Sequence, residues 1–226
     1  MTIIVSGGIK GGSGKSTAAA NLAVIRAAQG GDVLLVDADD QETATDFTNL
    51  RKGKNTAGPS YTCIKLTGAA VRTEVLRLAS KYQDIIIDTG GRDTTSQRAA
   101  LSVADVLLVP FVPRSFDLWT LEKVAELVEE MKTANPKLYA YTFLNKADSR
   151  GTDNDDTAAE LRENQALRFL DTPLGLRKAF SNAAAHGLAV TELRPADPKA
   201  VDEIMALFRY VFDIENISSR NQKKRA

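Results

Sequence analysis

The sequence predicts an α/β fold in which a doubly wound, mostly parallel sheet carries helices on both faces. Three observations predict it. Short apolar runs alternate with helical patterns along almost the whole chain. Runs such as Val33-Leu-Leu-Val36 and Asp84-Ile-Ile-Ile-Asp88 lack the in–out alternation of a half-exposed strand, so they read as strands buried on both faces. The first run passes through a glycine-rich loop directly into a helix, the order of a parallel crossover unit.

In chain order, Thr2–Val5 is a short buried strand, and the helix that follows its loop begins at Lys15 and runs to Ala28. Gly30-Gly31 marks its stop. Val33–Val36 is the second strand, residues 41–50 a short helix, and residues 51–60 a polar loop. Tyr61–Leu66 is strand-like, and Ala69–Lys81 has helical periodicity with Val71, Val75, Leu76 and Leu78 on one side. Asp84–Asp88 and Val106–Val109 are buried strands. Phe116–Met131 is a long helix that turns Leu118, Leu121, Val124, Leu127 and Val128 inward. Tyr139–Leu144 is a strand, and Asp156–Phe169, Leu176–Ala185 and Pro198–Phe212 are helices. Residues 1–212 form one domain, a size that supports a full core. Residues 213–226 lose periodicity and end Arg220-Asn-Gln-Lys-Lys-Arg-Ala226, the pattern of a mobile tail.

Composition excludes several classes. The formal net charge is zero with a pI near 6.6, so no whole-molecule field points to nucleic acid. The single cysteine, Cys63, rules out an intramolecular disulfide framework and a Cys-x-x-Cys pair, and suits a small core residue in a cytosolic protein. No apolar run approaches the length of a membrane span, and the immediate first strand leaves no room for a signal peptide. The lone histidine, His186, falls at a helix end, a capping position and not that of a catalytic base.

The chemistry starts in Gly8-Ile-Lys-Gly-Gly-Ser-Gly-Lys-Ser-Thr17. Between a strand and a helix, such a loop cradles phosphates. Glycines bring backbone N–H groups close to the ligand, and the helix adds its positive end. Lys10, Gly11, Gly12, Ser13, Gly14, Lys15, Ser16 and Thr17 are the candidate contacts to a triphosphate. Lys15 reaches its outer phosphates and the Ser16 hydroxyl ligates Mg²⁺. Two acidic clusters fall at the carboxyl ends of apolar strands, Val36-Asp-Ala-Asp-Asp-Gln41 and Ile87-Asp-Thr-Gly-Gly91. Ligands bind at strand carboxyl ends in such sheets, and Mg²⁺ takes few carboxylates. Asp37 and Asp88 therefore join Ser16 as candidate metal residues, Asp88 through the outer shell. Asp37 alone would equally suit a cap. A third signal is Phe143-Leu-Asn-Lys-Ala-Asp148, where the Asn145 amide suits both edges of a base.

The loop departs from the usual pattern, with Ile9 where glycine is expected and Lys10 opening Lys-Gly-Gly-Ser-Gly-Lys-Ser. In this it resembles the deviant Walker-A phosphate-loop NTPases of the ParA/MinD family, and most the small plasmid-partition ParA proteins without an N-terminal DNA-binding extension. The resemblance covers most of the chain. It extends to Asp105–Pro113 with Phe116-Asp117, and to Arg177–Gly187 with Val190 and Glu192. The family pattern after the second strand is Asp-x-Asp-Pro-Gln. Asp37, Asp39 and Gln41 match it, and Asp40 stands in place of the proline, which loosens the loop and adds a negative charge near the nucleotide.

The resemblance implies an ATP hydrolase that is slow alone and stimulated by a partner, with ATP and Mg²⁺ as cofactors. Two protomers would sandwich two ATP molecules as a homodimer. Lys10 would reach the partner's phosphates, Asp39 would orient the attacking water, and Lys10, Lys15 and Asp39 would be catalytic. Asn145 would contact adenine, although Asn-Lys-x-Asp also looks like the guanine signature of small GTPases. The dimer would bind DNA without sequence preference. A ParB-like or other adaptor would trigger hydrolysis and so position a plasmid, chromosome or protein assembly in the cytoplasm over the nucleoid. From residue 162 onward the chain holds 11 Lys+Arg against 8 Asp+Glu. Arg177, Lys178, Arg194 and Lys199 are the DNA candidates, with Arg168 beside them. A MinD-like membrane-cycling ATPase is the competing class, but the tail after Asp213 offers only Ile214 and Ile217 for insertion, so no membrane partner is expected. A metabolic enzyme of dethiobiotin-synthetase type stays open from the fold.

Overall fold

A computed structural model describes residues 1–53, 58, 60–113, 120–148, 150 and 152–223, with side chains to residue 212. Seven strands form one sheet, β1 (Thr2–Ser6), β2 (Val33–Ala38), β3 (Thr62–Lys65), β4 (Asp84–Thr89), β5 (Val106–Phe111), β6 (Tyr139–Ala147) and β7 (Arg168–Gly175), in the order β3-β2-β4-β1-β5-β6-β7. Every strand pair is parallel. Among the described residues the helices are α1 (Lys15–Ala28), α2 (Thr43–Gly53), α3 (Ala70–Leu78), α4 (Thr95–Leu101), α5 (Leu121–Ala134), α6 (Asp153–Glu163), α7 (Lys178–Ala184) and α8 (Pro198–Lys223). Single 3₁₀ turns sit at Ala79–Lys81 and Val190–Glu192.

The central strands are buried along their length, and their side chains divide by period two between two cores. Ile3, Val5, Ile85 and Ile87 face one core, closed by α3, α4, α5 and α6. Ile4, Leu35, Ile86 and Leu108 face the other, closed by α1, α7 and α8. This is the doubly wound arrangement expected from the continuous apolar runs.

Several elements differ from the sequence reading. β7 occupies Arg168–Gly175, so Arg168 and Phe169 are strand residues and the helix before them stops at Glu163. Pro173 lies inside β7 and argues against a strand on local grounds. The strand is at the sheet's edge, where a missing N–H is tolerated. α4 is a further helix, N-capped by the Thr94 hydroxyl, which accepts from the Gln97 N–H at 3.1 Å. α2 extends to Gly53, into the expected polar loop. α8 continues beyond Phe212 to Lys223, where a tail was expected. The expected helix positions 116–119, including Leu118, lie outside the described residues.

One buried ion pair ties the end of α2 to the late part of the chain. The Arg51 guanidinium is 5% exposed, donates to both Glu192 carboxylate oxygens at 2.7 and 2.8 Å, and reaches the Gly187 carbonyl at 3.2 Å. Gly187 has φ 65°, and a Cβ there would lie 2.4 Å from the Arg51 amide nitrogen, so this turn needs glycine. Truncating one partner strands the other's charge. Arg51→Ala is expected to cost about 2–3 kcal/mol, tempered by the partial exposure of Glu192, and to lower Tm by about 5–10 °C. An unchanged melting curve would show that the pair holds nothing together.

Candidate functional site

The site is built on one row of strand ends. Ser6, Asp88 and Asp37 are register partners across β1, β4 and β2, at the carboxyl edge where β1 sends its loop into α1. In this strand order the connections from β1 and β4 leave in opposite directions, which opens a crevice for a ligand.

The phosphate loop is held by side-chain donors bonded to its carbonyls. The Lys15 ammonium donates to the Lys10 carbonyl at 2.8 Å, the Asn145 amide to the Ser13 carbonyl at 2.6 Å, and the Lys146 ammonium to the Gly12 carbonyl at 2.7 Å. The Ser6 hydroxyl holds the Lys15 carbonyl at 2.9 Å. With these carbonyls occupied, the loop keeps the folded-back shape that a bound anion needs. Gly14 has φ 100°, and a Cβ there would sit 2.0 Å from the Asn145 amide nitrogen, so only glycine fits.

Gly11, Gly12, Gly14, Lys15, Ser16 and Thr17 line a cleft of about 670 Å³ together with Asp39, Asp40, Gln41, Thr43, Gly90, Gly91, Arg92, Thr94 and Lys146. The structure thus brings most of the predicted loop residues and Asp39 to one wall-to-wall site. Lys10 and Ser13 border a smaller adjoining hollow.

The two candidate metal carboxylates differ. Both Asp37 oxygens accept backbone N–H groups, Asp39 at 3.2 Å and Thr45 at 2.7 Å. Asp37 therefore organises the loop that carries Asp39 and caps the start of α2. Asp88 is fully buried and neither of its oxygens has a hydrogen-bond partner. Burial pushes its carboxyl up to about 7, the neighbouring Asp37 and Asp39 add to the rise, and the nearby Ser16 hydroxyl and Lys15 ammonium oppose it. An orphaned carboxylate beside a helix-start hydroxyl fits a hydrated divalent cation. Burial likewise lowers the Lys15 ammonium, against the pull of Asp88 and Asp39.

Asn145 departs from expectation in placement. It lies within β6 and not after it, is buried, and its amide is engaged by the loop. The DNA candidates fall at the start of α7 (Arg177, Lys178), just after the Val190–Glu192 turn (Arg194) and at the start of α8 (Lys199). Arg177 is bound to Glu203 through two N–H groups, one at 2.8 Å, and Glu203 also accepts the Gly175 N–H at 3.0 Å. Arg177 is thereby part of the β7–α8 joint, which removes it as first choice for a phosphate contact. Arg194 is exposed and donates to the Thr191 and Leu193 carbonyls, while Lys178, Lys199 and Arg168 are exposed. The sequence reading missed Gln97, whose carbonyl oxygen accepts from the Gly8 N–H at 3.4 Å and the Thr89 hydroxyl at 3.2 Å. It also missed Arg92 and assigned no role to Lys146. Proximity to a strand end was the available signal for Arg92 and Lys146. Gln97 gave none, because its partners are distant in sequence.

The model of the CobQ/CobB/MinD/ParA nucleotide binding domain matches residues 4–190, which spans the whole site. The chain belongs to this family. Within it, the ParA/MinD resemblance is supported by relatives over nearly the full length. Maintenance of carboxysome distribution protein A from Halothiobacillus neapolitanus is 27% identical over 205 residues, covering 90% of this chain and 93% of the relative. The protein of the same name from Gloeobacter kilaueensis is 30% identical over 187 residues, 82% of each chain. Protein IncC of Escherichia coli is 26% identical and covers 94% of this chain and 69% of its own. Among solved structures, apo McdA from Cyanothece superposes with a TM-score of 0.76 at 21% identity, over 92% of this chain and 99% of that one. A putative plasmid partition protein from Borrelia burgdorferi bound to AMPPNP gives 0.73 at 17% identity, over 94% and 99%. These structures show the same fold. As a ParA/MinD-family domain, the chain carries the nucleotide cleft that its phosphate loop outlines.

Proposed function

We propose that this ParA/MinD-family domain is an ATP-driven positioning switch, an ATP hydrolase that dimerises on ATP and hydrolyses it slowly until a partner accelerates the step. The observation that carries the reading is the buried, unpartnered Asp88 carboxylate next to Ser16 and beneath a phosphate loop already folded around Lys15. Ser16 and Asp88 would hold Mg²⁺, which supplies charge neutralisation on the outer phosphates. Asp37 positions the Asp39 loop and is not the primary ligand. Lys15 releases the Lys10 carbonyl and turns to the nucleotide. Asp39, lining the cleft, orients the attacking water, and Lys10 crosses to the partner protomer's phosphates as an arginine finger would. Asn145 stays the candidate for adenine contact once the loop shifts to receive it.

The names of the relatives include carboxysome distribution and plasmid partition, so the cargo class is a protein assembly or a DNA molecule. In the ATP state the dimer binds DNA without sequence preference over the nucleoid, and a ParB-like or other adaptor triggers release. With Arg177 committed to Glu203, Lys178, Arg194 and Lys199 are the remaining contacts.

Sedimentation of the purified protein with ATP–Mg²⁺, ADP or no nucleotide, with and without an arbitrary duplex, tests the reading. Dimers are expected with ATP alone. Lys10→Ala is expected to bind ATP yet stay monomeric, and Asp39→Ala to dimerise and hydrolyse little. DNA should co-sediment only with the dimer and dissociate with salt at a log–log slope near −0.9 per phosphate neutralised. Lys178→Glu with Lys199→Glu should abolish that retention while keeping the dimer. A native monomer at saturating ATP–Mg²⁺ would sink the switch, and flotation on anionic liposomes without DNA binding would favour the MinD-like class.

A further inference from the structure

The loop between β4 and α4 contributes a cation to the cleft that neither the loop motif nor the acidic clusters announce. Gly90 and Gly91 bring this loop into direct contact with the rest of the site. A Cβ at Gly91 would lie 2.6 Å from the Gly11 amide nitrogen and 2.9 Å from the Lys10 carbonyl carbon, and one at Gly90 would lie 3.0 Å from an Asp39 carboxylate oxygen. The loop is clamped between the opening of the phosphate loop and Asp39. Its far end is anchored by the Thr94 cap of α4. The residue between these two anchors is Arg92, followed by Asp93.

Arg92 is exposed and lines the cleft. Among the described residues it has no ion-pair or hydrogen-bond partner. The next arginine in the chain, Arg98, behaves in the opposite way, since Asp93 and Glu130 occupy its guanidinium at 2.7 and 2.6 Å. The nearest acid of the loop, Asp93, is therefore already taken. Arg92 also shares the cleft with Asp40, the acid that stands where the resembled family has proline. A cleft that gains a carboxylate repels a triphosphate unless a further cation offsets it.

Resting on the nucleotide reading above, we infer that Arg92 is a ligand of the terminal phosphate of the nucleotide held by its own protomer. Its place beside Asp39 and the Lys10–Gly11 end of the loop puts it at the hydrolysed phosphate and away from the Thr17 end. A guanidinium there presents a planar fork of donors to phosphate oxygens, which an ammonium does not. Arg92 would thus separate ATP from ADP by charge-assisted hydrogen bonds made with ATP alone.

Isothermal titration of native protein, Arg92→Ala and Arg92→Lys with AMPPNP–Mg²⁺ and with ADP–Mg²⁺ decides it without any turnover. Arg92→Ala is expected to weaken AMPPNP by about tenfold or more, the worth of one charge-assisted hydrogen bond, and to leave ADP within about twofold. Arg92→Lys should fall between, since it keeps the charge and loses the fork. Because Arg92 is exposed, the variants should melt with the native protein, and melting curves check that. Equal loss for both nucleotides, or no loss for either, overturns the assignment while the cleft reading stands. Failure of the native protein to bind either nucleotide overturns both.

Discussion

Asp88→Asn is expected to make the nucleotide-free protein more stable above neutral pH and, at the same time, to remove the divalent-ion dependence of nucleotide binding. The two effects share one cause. Asp88 is buried without a hydrogen-bond partner, and its carboxyl holds its proton up to about 7, against 3.8 in an unfolded chain. Between those values the folded state binds a proton that the unfolded state has lost, so stability falls as pH rises from about 4 to about 7. Above that window both states are ionised and the penalty is constant. At ~1.4 kcal/mol per unit the accumulated cost is on the order of 4 kcal/mol. Asparagine carries no charge to bury, so melting temperatures of Asp88→Asn should be nearly flat across pH 5–8, while those of the native protein decline. Mg²⁺ with nucleotide should restore the native protein at pH 8 and do little for the variant. A variant that melts below the native protein at pH 8 would contradict this account.

Lys15→Ala is expected to lose ATP affinity by a factor of about a hundred or more, in the range of removing a buried charge-assisted contact to a polyphosphate. Lys15 is 5% exposed and its ammonium closes the loop on the Lys10 carbonyl at 2.8 Å. The variant therefore loses both the phosphate contact and one of the side-chain clamps on the loop. The Asn145 and Lys146 clamps on the Ser13 and Gly12 carbonyls remain, and burying an ammonium is itself costly, so the melting temperature should move little. Fluorescent-nucleotide titration and a melting curve measure the two sides. Retained micromolar ATP affinity would remove Lys15 from the site, and GTP binding as tight as ATP would contradict an adenine role for Asn145.

The pairing of Arg177 with Glu203 alters what a charge reversal would report. Arg177→Glu would set two carboxylates against each other at the β7–α8 joint, so lost DNA binding in that variant would reflect damage as readily as lost contact. Lys178 and Lys199, exposed, are cleaner sites.

By itself the sequence determined the alternation of strands and helices, the parallel character of the sheet and the phosphate loop. These are local properties. A run such as Ile85-Ile-Ile87 carries its own burial pattern, and glycines at positive φ before a helix announce the loop wherever the chain goes next. The acidic strand ends were legible for the same reason, but their division of labour was not. Asp37 and Asp88 look alike in sequence. Only the fold spends both Asp37 oxygens on the Asp39 and Thr45 N–H groups and leaves both Asp88 oxygens orphaned. Tertiary structure also decided that Arg168–Gly175 is a strand despite Pro173, because an edge position excuses the missing donor. It decided that Arg177 pairs with Glu203, and that Arg92 lines the cleft while Arg98 pairs with Asp93 and Glu130. Each of these depends on which distant residues a group meets in the fold, and the chain's local pattern does not say which they are.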